Sequence, residues 1–126
     1  MILGRLIRLS LLSVCLSAIT PSFAAEATFT PEQADLGERV ANRYCVKCHD
    51  NSYFEGALYD AVRGQRVEYL LDPIRVTMPQ DRPGSLKPRH NAALLAWIMS
   101  LNGVSPGSEA LTDDLEALKQ LTFPAS

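Results

Sequence analysis

Apolar and polar positions alternate along this chain with the period of a helix in several segments, and no segment shows a sustained strand period. The clearest helix start is Thr30-Pro31-Glu32-Gln33, in which threonine caps the helix, proline takes its first position and glutamine closes a capping box. We therefore expect a first helix from Pro31 to Tyr44. Its predicted apolar face consists of Leu36, Val40 and Tyr44.

Weaker signals mark the rest of the chain. Residues 50–64 lack a sustained period, so we expect mostly loop there, followed by a second helix over residues 65–71 that ends before a proline. A third helix begins near residues 85–89 and ends at Asn102-Gly103, and a short last helix covers about residues 112–120. The pattern predicts an all-α domain of three to four helices.

The start of the chain has the layout of a secretory signal peptide. Arg5 and Arg8 precede a largely apolar run from Leu9 to Ile19, and small residues suit cleavage after Ala24. A retained membrane anchor is the alternative, but a run of about 11 residues is short of the roughly 20 that a spanning helix needs. We expect residues 1–24 to be removed during export to the periplasm.

The mature domain would then comprise residues 25–126, with a core over about residues 31–103. Removing Arg5 and Arg8 from the 12 basic residues leaves 10 against 14 acidic residues, a net charge of −4. A nucleic-acid partner needs a basic face, which this composition does not favour. An acidic protein instead favours a basic docking patch on a protein partner.

The segment Cys45-Val46-Lys47-Cys48-His49 points to a specific chemistry. Its C-x-x-C-H spacing is the signature of c-type haem attachment, because two thiols separated by a short loop add across the two vinyl groups of the porphyrin. The adjacent imidazole then lies below the iron as its proximal ligand. We expect Cys45 and Cys48 to hold one haem c covalently and His49 to ligate its iron.

Three other kinds of site use paired cysteines. A zinc ribbon needs a second pair of ligands, and His90 is the one further candidate once Cys15 has left with the signal peptide. A thioredoxin-type redox pair needs a βαβ context that the flanking sequence does not provide. A structural disulfide between Cys45 and Cys48 would leave His49 without a role. The pattern therefore favours haem.

The second axial ligand is predicted from the remaining methionines. Haem iron in electron carriers is normally closed on both faces, and a thioether ligand raises its reduction potential. Met78 lies in a proline-rich, non-helical segment that can carry a side chain across a haem face. Met99 lies in the predicted third helix, where methionine usually fills the core, and His90 lies at the surface start of that helix. We predict Met78 as the ligand, with Met99 and His90 as alternatives.

With these features the chain resembles a class I c-type cytochrome. In that family the first helix leads into the haem motif, a loop supplies the distal methionine, and a C-terminal helix crosses the first. A glycine eight residues before the first haem cysteine allows that crossing, and Gly37 stands there. The crossing partners correspond to Leu94 and Trp97. The resemblance implies a cytochrome c-like fold around one covalent haem.

Two positions depart from that family. Ala41 stands where an aromatic residue is often found, four residues before the first haem cysteine. No proline lies between Asp50 and Asp72, where the family often has one that accepts a hydrogen bond from the proximal histidine. His49 must then find another acceptor.

Further motifs narrow the resemblance to a monohaem branch whose members occur beside, or fused to, periplasmic quinoprotein alcohol and sugar dehydrogenases. These motifs are Phe54-x-Gly56, Met78-Pro79 with Pro83-Gly84-Ser85-Leu86, Asn102-Gly103 and Leu121-Thr122-Phe123. The resemblance implies a carrier that accepts electrons from a quinoprotein dehydrogenase and passes them to a terminal oxidase or another cytochrome of a respiratory chain.

The predicted function is therefore single-electron transfer by a protein that is not itself an enzyme, either a monomer or a subunit of a hetero-complex, with no membrane span after processing. A haem subunit of a dehydrogenase complex is one alternative. A small haem peroxidase is another, and it needs an open distal position with an acid–base group over the iron. We expect the haem-free chain to be poorly structured, because so small a domain buries little core by itself.

Overall fold

Six helices follow one another along residues 24–125, the part of the chain that the computed structural model describes. They are α1 (Pro31–Tyr44), α2 (Asn51–Phe54), α3 (Ala57–Val62), α4 (Glu68–Thr77), α5 (Pro88–Leu101) and α6 (Leu115–Lys119). The helical content agrees with the predicted all-α class. The described residues form six helices where three to four were predicted, because the short helices α2 and α3 were not expected. The predicted signal peptide lies outside the described residues except for Ala24. None of the described helices is long and apolar enough to cross a membrane.

Helix α1 begins and ends where the sequence predicts, but its cap differs in one bond. The Thr30 hydroxyl accepts a hydrogen bond from the Gln33 N–H at 3.3 Å. The Gln33 side chain does not return to Thr30. Its Nε2 donates to the Leu111 carbonyl and its Oε1 accepts from the Leu111 N–H, both at 2.7 Å. The predicted capping box is half formed, because the Leu111 backbone offers the amide two complementary bonds.

Helices α1 and α5 cross at the centre of the fold. Residues 91–99 of α5 are all buried. The buried positions of α1 are Ala34, Gly37, Val40 and Ala41. Leu36 and Tyr44, predicted for the buried face, are half-buried. On α1 the buried positions are therefore mostly small residues, which lets the backbone of α1 approach α5 closely.

The resemblance correctly predicts where this crossing occurs. A side chain added to Gly37 would collide with Trp97 and with the backbone of Ala93. The expected contact between Gly37 and Trp97 is confirmed. Ala93, rather than the expected Leu94, is the second neighbour of Gly37, and Leu94 instead lines a cavity described below.

Two predictions for the middle of the chain are wrong. Residues 50–64 contain α2 and α3 rather than mostly loop, and α4 spans Glu68–Thr77 rather than residues 65–71. Pro73 lies inside α4, where it removes one helical hydrogen bond. Two leucines of α4 are buried in the core, and this packing offsets the loss. Helices in proteins gain most of their stability from such tertiary contacts, which local sequence rules do not capture.

The limits of the last two helices match the predictions closely. Helix α5 ends before Asn102, and Gly103 follows with a φ of +80°. Helix α6 lies within the predicted residues 112–120, and its cap is Asp114, whose carboxylate accepts two backbone N–H groups of the first turn. The hydroxyl of Thr112, the first residue of the predicted helix, accepts from the Asp114 N–H.

The two ends of the domain pair through their backbones. The Ala27 N–H donates to the Thr122 carbonyl at 2.7 Å, and the Phe123 N–H donates to the Gln65 carbonyl at 2.9 Å. Phe123 is fully buried, with its ring centroid 5.7 Å from that of Tyr59. The core therefore extends beyond its predicted limits at both ends of the described residues.

Candidate functional site

One large cavity opens between the end of α1, helices α2 to α4 and the loop that follows α4. Its volume is about 1200 Å³, above the range of about 300 to 1,000 Å³ usual for small-molecule sites. Its apolar walls include Phe54, Leu58, Val62, Leu70, Ile74 and Leu86. A space of this size between apolar walls can hold a large apolar group.

The four residues predicted to hold the cofactor, Cys45, Cys48, His49 and Met78, all line this cavity. The cysteine–histidine motif forms a tight turn in which the N–H groups of Cys48 and His49 donate to the Cys45 carbonyl, at 3.1 and 3.0 Å. The Cys45 N–H donates to the Ala41 carbonyl at 2.7 Å, so the turn continues directly from α1. Folding thus brings Met78 to the same cavity as the cysteine–histidine motif, although the two are separate in the sequence.

The two cysteines of the motif differ in their exposure to solvent: Cys45 is half-buried and Cys48 is exposed. Cys45 and Cys48 are both free, with no disulfide between them. Burial raises the pKa of the Cys45 thiol above its usual range, whereas reactive redox cysteines have a lowered pKa. Residues 24–125 also contain no cluster of three or more His, Cys, Asp or Glu side chains suited to a metal ion. The raised pKa of Cys45 does not favour a thioredoxin-type redox pair.

The His49 imidazole lies against two aromatic rings of α2. Its centroid is 4.5 Å from that of Tyr53 in a stacked arrangement, and 5.9 Å from that of Phe54 in an edge-on arrangement. Phe54 is buried, and its centroid lies 5.1 Å from that of Trp97. Two aromatic rings of α2 therefore lie against the imidazole, one of them part of the buried core.

Met78 caps the C-terminus of α4 and is half-buried. Its N–H donates to the Ile74 carbonyl at 3.0 Å, and its carbonyl accepts from the Gly84 N–H at 3.3 Å. These bonds fix the backbone on both sides of the thioether. Met99 is fully buried in α5 and His90 lies in its first turn, and neither lines the cavity. Of the three candidate distal ligands, Met78 alone borders the site.

A rim of charged side chains surrounds the cavity. Its basic residues are Arg43, Lys47 and Arg82, and its acidic residue is Asp81. The guanidinium carbons of Arg43 and Arg82 lie 5.5 and 5.8 Å from the centroid of the Tyr44 ring, within cation–π distance. The sequence offers no signal for this grouping, because Arg82 is distant in the chain from the other two basic residues.

Two exposed tyrosines also line the cavity and were not expected there. Tyr53 is 51% exposed and Tyr69 is 61% exposed. Tyr53 lies in the segment predicted as loop, residues 50–64. Tyr69 lies within the predicted second helix, and its sequence position gave no sign that it would line a cavity. A helical interpretation of Asn51–Phe54 would have kept Tyr53 close to the motif, because the chain does not extend away from His49 there.

Comparison of the chain with models of known protein families, with curated proteins and with solved structures gave no match. Its function is therefore inferred from the residues and geometry of the cavity.

Proposed function

We propose that the chain is a periplasmic single-electron carrier that holds one haem c covalently and ligates its iron through His49 and Met78. The observation that carries this proposal is the convergence of Cys45, Cys48, His49 and Met78 on one apolar cavity of about 1200 Å³. The motif itself brings the first three together. The approach of Met78 depends on the packing of α4 and its following loop, so it supports the proposal independently.

The donor groups suit this cofactor. Cys45 and Cys48 supply thiols for two thioether bonds, His49 supplies an imidazole, and Met78 supplies a thioether of the kind that raises the reduction potential of c-type carriers. Bound haem supplies an iron centre that takes up and releases one electron. The apolar walls limit the access of water, and solvent exposure is one of the factors that set a redox potential.

The lining of the cavity supports electron transfer over catalysis. A peroxidase needs an open distal position and an acid–base group above it. Among the described lining residues, His49 is the only histidine and Asp81, at the rim, the only carboxylate. Met78 competes for the distal position itself. Rapid binding of carbon monoxide by the reduced protein without denaturant would favour the peroxidase instead.

The charged residues at the rim of the cavity indicate which kind of protein surface a redox partner would present. The mature chain has a net charge of −4, which by itself favours a basic partner surface. Arg43, Lys47 and Arg82 favour acidic groups at the contact itself, because complementary charges steer association. We propose a quinoprotein dehydrogenase as donor and a terminal oxidase or another cytochrome as acceptor. Copurification with a dehydrogenase would identify the chain as a haem subunit of that complex.

An absorption spectrum of the protein, exported together with the haem-maturation machinery, tests the proposal. We expect the reduced α band of a c-type haem and, in the oxidised form, a weak near-infrared methionine–iron band. The colour should stay with the polypeptide through acid–acetone extraction. A Cys45→Ser/Cys48→Ser double variant should lose it. A colourless exported protein with two titratable thiols would contradict the proposal.

A further inference from the structure

Asn102, directly after α5, uses its whole side-chain amide to bind backbone groups. Its Nδ2 donates to the carbonyl oxygens of Phe54 at 2.9 Å and Ile98 at 2.8 Å. Its Oδ1 accepts from the Gly56 N–H at 2.8 Å. The Ile98 bond is local, whereas the other two join the end of α5 to residues 48 and 46 positions earlier in the chain.

These bonds hold the connection between α2 and α3. Helix α2 ends at Phe54, helix α3 begins at Ala57, and Gly56 between them has a φ of +62°, which glycine adopts at little cost. Glu55 and Gly56 are exposed, so they bury no side chain that could fix the turn. Asn102 therefore ties this exposed turn to α5.

The turn matters because Phe54 packs against His49. Phe54 is 5% exposed, and its ring lies between Trp97, at a centroid distance of 5.1 Å, and His49, at 5.9 Å. A backbone shift at Phe54 would displace this ring from the imidazole. A continuous set of contacts thus runs from Asn102 through Phe54 to His49.

We propose that Asn102 is a positioning residue for the His49 imidazole and acts through Phe54. The inference deepens the proposed function and rests on it, since His49 is there the proximal iron ligand. The orientation of a ligand and its shielding from water both tune a metal centre. Without the Asn102 bonds the Phe54 ring can withdraw and water can approach the proximal side, which favours the more highly charged oxidised form.

The variant Asn102→Ala tests the proposal in the exported, haem-loaded protein. We expect a lower reduction potential than that of the wild type, and altered g-values in the electron paramagnetic resonance spectrum of the oxidised form, because both report on the axial ligands. These measurements are independent of any electron-transfer rate with a partner.

Gln33→Ala is the matched control. It also removes two hydrogen bonds between a side-chain amide and a distant backbone segment, here at Leu111, but Gln33 does not line the cavity. We expect this control to unfold at a lower urea concentration than the wild type, while its potential and g-values stay at their wild-type values. A shift in the control equal to that in Asn102→Ala would overturn the positioning role.

A double-mutant cycle with Phe54→Leu tests the route. If Asn102 acts through Phe54, the shift in potential of the double variant is smaller than the sum of the two single shifts. Additive shifts would overturn the route through Phe54. If the alanine variant does not accumulate, Asn102→Gln replaces it in the test, since it keeps a neutral amide. We expect a smaller shift in its reduction potential, of the same sign. An unchanged potential would overturn the proposal.

The wild-type spectrum decides the proposed function separately. A colourless wild-type protein contradicts the proposed function before any variant is compared. The other outcome is a coloured wild type that shows its near-infrared band. If both Asn102 variants then have the potential and g-values of the wild type, the role of Asn102 alone is contradicted.

Discussion

The backbone of Gly37 in α1 lies directly against Trp97 in α5: a Cβ added to Gly37 would be 2.6 Å from the Cβ of Trp97. The same atom would overlap the carbonyl oxygen of Ala93. The two helices therefore touch where only glycine leaves room. The contact links the helix that leads into Cys45 with the tryptophan that supports the ring of Phe54.

We expect Gly37→Ala to lower the free energy of unfolding by about 2 kcal/mol, because overpacking forces the helices apart. The better helix propensity of alanine, worth up to about 1 kcal/mol, acts in the opposite direction and does not offset this loss. Urea unfolding followed by circular dichroism measures the change. Glu38→Ala, at an exposed position of the same helix, should change stability by less than about 0.5 kcal/mol. A Gly37→Ala variant as stable as the wild type would contradict the close crossing.

Met78 and Met99 should respond differently to alanine substitution. If Met78 ligates the iron as proposed, Met78→Ala loses the near-infrared band and has a lower reduction potential, because the thioether ligand is removed. Met99 is fully buried in α5, so Met99→Ala should cost about 2–5 kcal/mol of stability while the band persists. Near-infrared spectra and urea titrations of the two variants check both outcomes. Loss of the band in Met99→Ala instead would show that the ligand was assigned wrongly.

The end of the chain should be essential for stability. Phe123 is fully buried against Tyr59, and its N–H donates to the Gln65 carbonyl at 2.9 Å. We expect Phe123→Ala to cost about 3–5 kcal/mol, as is usual for a large aromatic side chain removed from a core. Ala125→Gly, at an exposed neighbouring position, should stay within about 0.5 kcal/mol of the wild type. Similar urea midpoints for the two variants would show that the tail contributes little to the core.

Stability should fall as the pH drops below the ordinary pKa of histidine, about 6.5, and His90 should cause part of this fall. Burial, together with the charges of Arg89 and Lys87, lowers the pKa of His90 in the folded protein. The unfolded chain then binds a proton more readily than the folded chain between the lowered pKa and about 6.5, so protonation favours unfolding in that window. His90→Gln should unfold with a smaller dependence on pH. Urea midpoints at pH 7.5 and 5.5 measure this; an identical change in both proteins would rule out His90 as a cause.

Local signals were sufficient for the two long helices that cross. The Thr30 cap and Pro31 act on adjacent residues, so the start of α1 could be predicted from the sequence alone. The same holds for the end of α5, where Gly103 adopts a positive φ. The contact of Gly37 with Trp97 followed from a resemblance and is confirmed by the packing.

Interactions between distant residues decided the features that the sequence did not predict. The Gln33 amide pairs with Leu111, 78 residues away, instead of closing its own capping box. Helix α4 continues through Pro73, with Leu70 and Leu71 before the proline buried in the core and Ile74 after it packed against the core. Helices α2 and α3 occupy a predicted loop, where Phe54 and Tyr59 are buried by packing against other parts of the chain.

The candidate site shows the same division. The spacing of Cys45, Cys48 and His49 is a property of the covalent chain, so a haem site at those residues could be predicted before any fold was known. The approach of Met78 to the same cavity, and the grouping of Arg82 with the basic residues near the motif, arise only when the helices pack. Residues that are close in the sequence are held together by covalent bonds. Residues that are distant in the sequence meet only where burial of apolar surface brings their segments into contact.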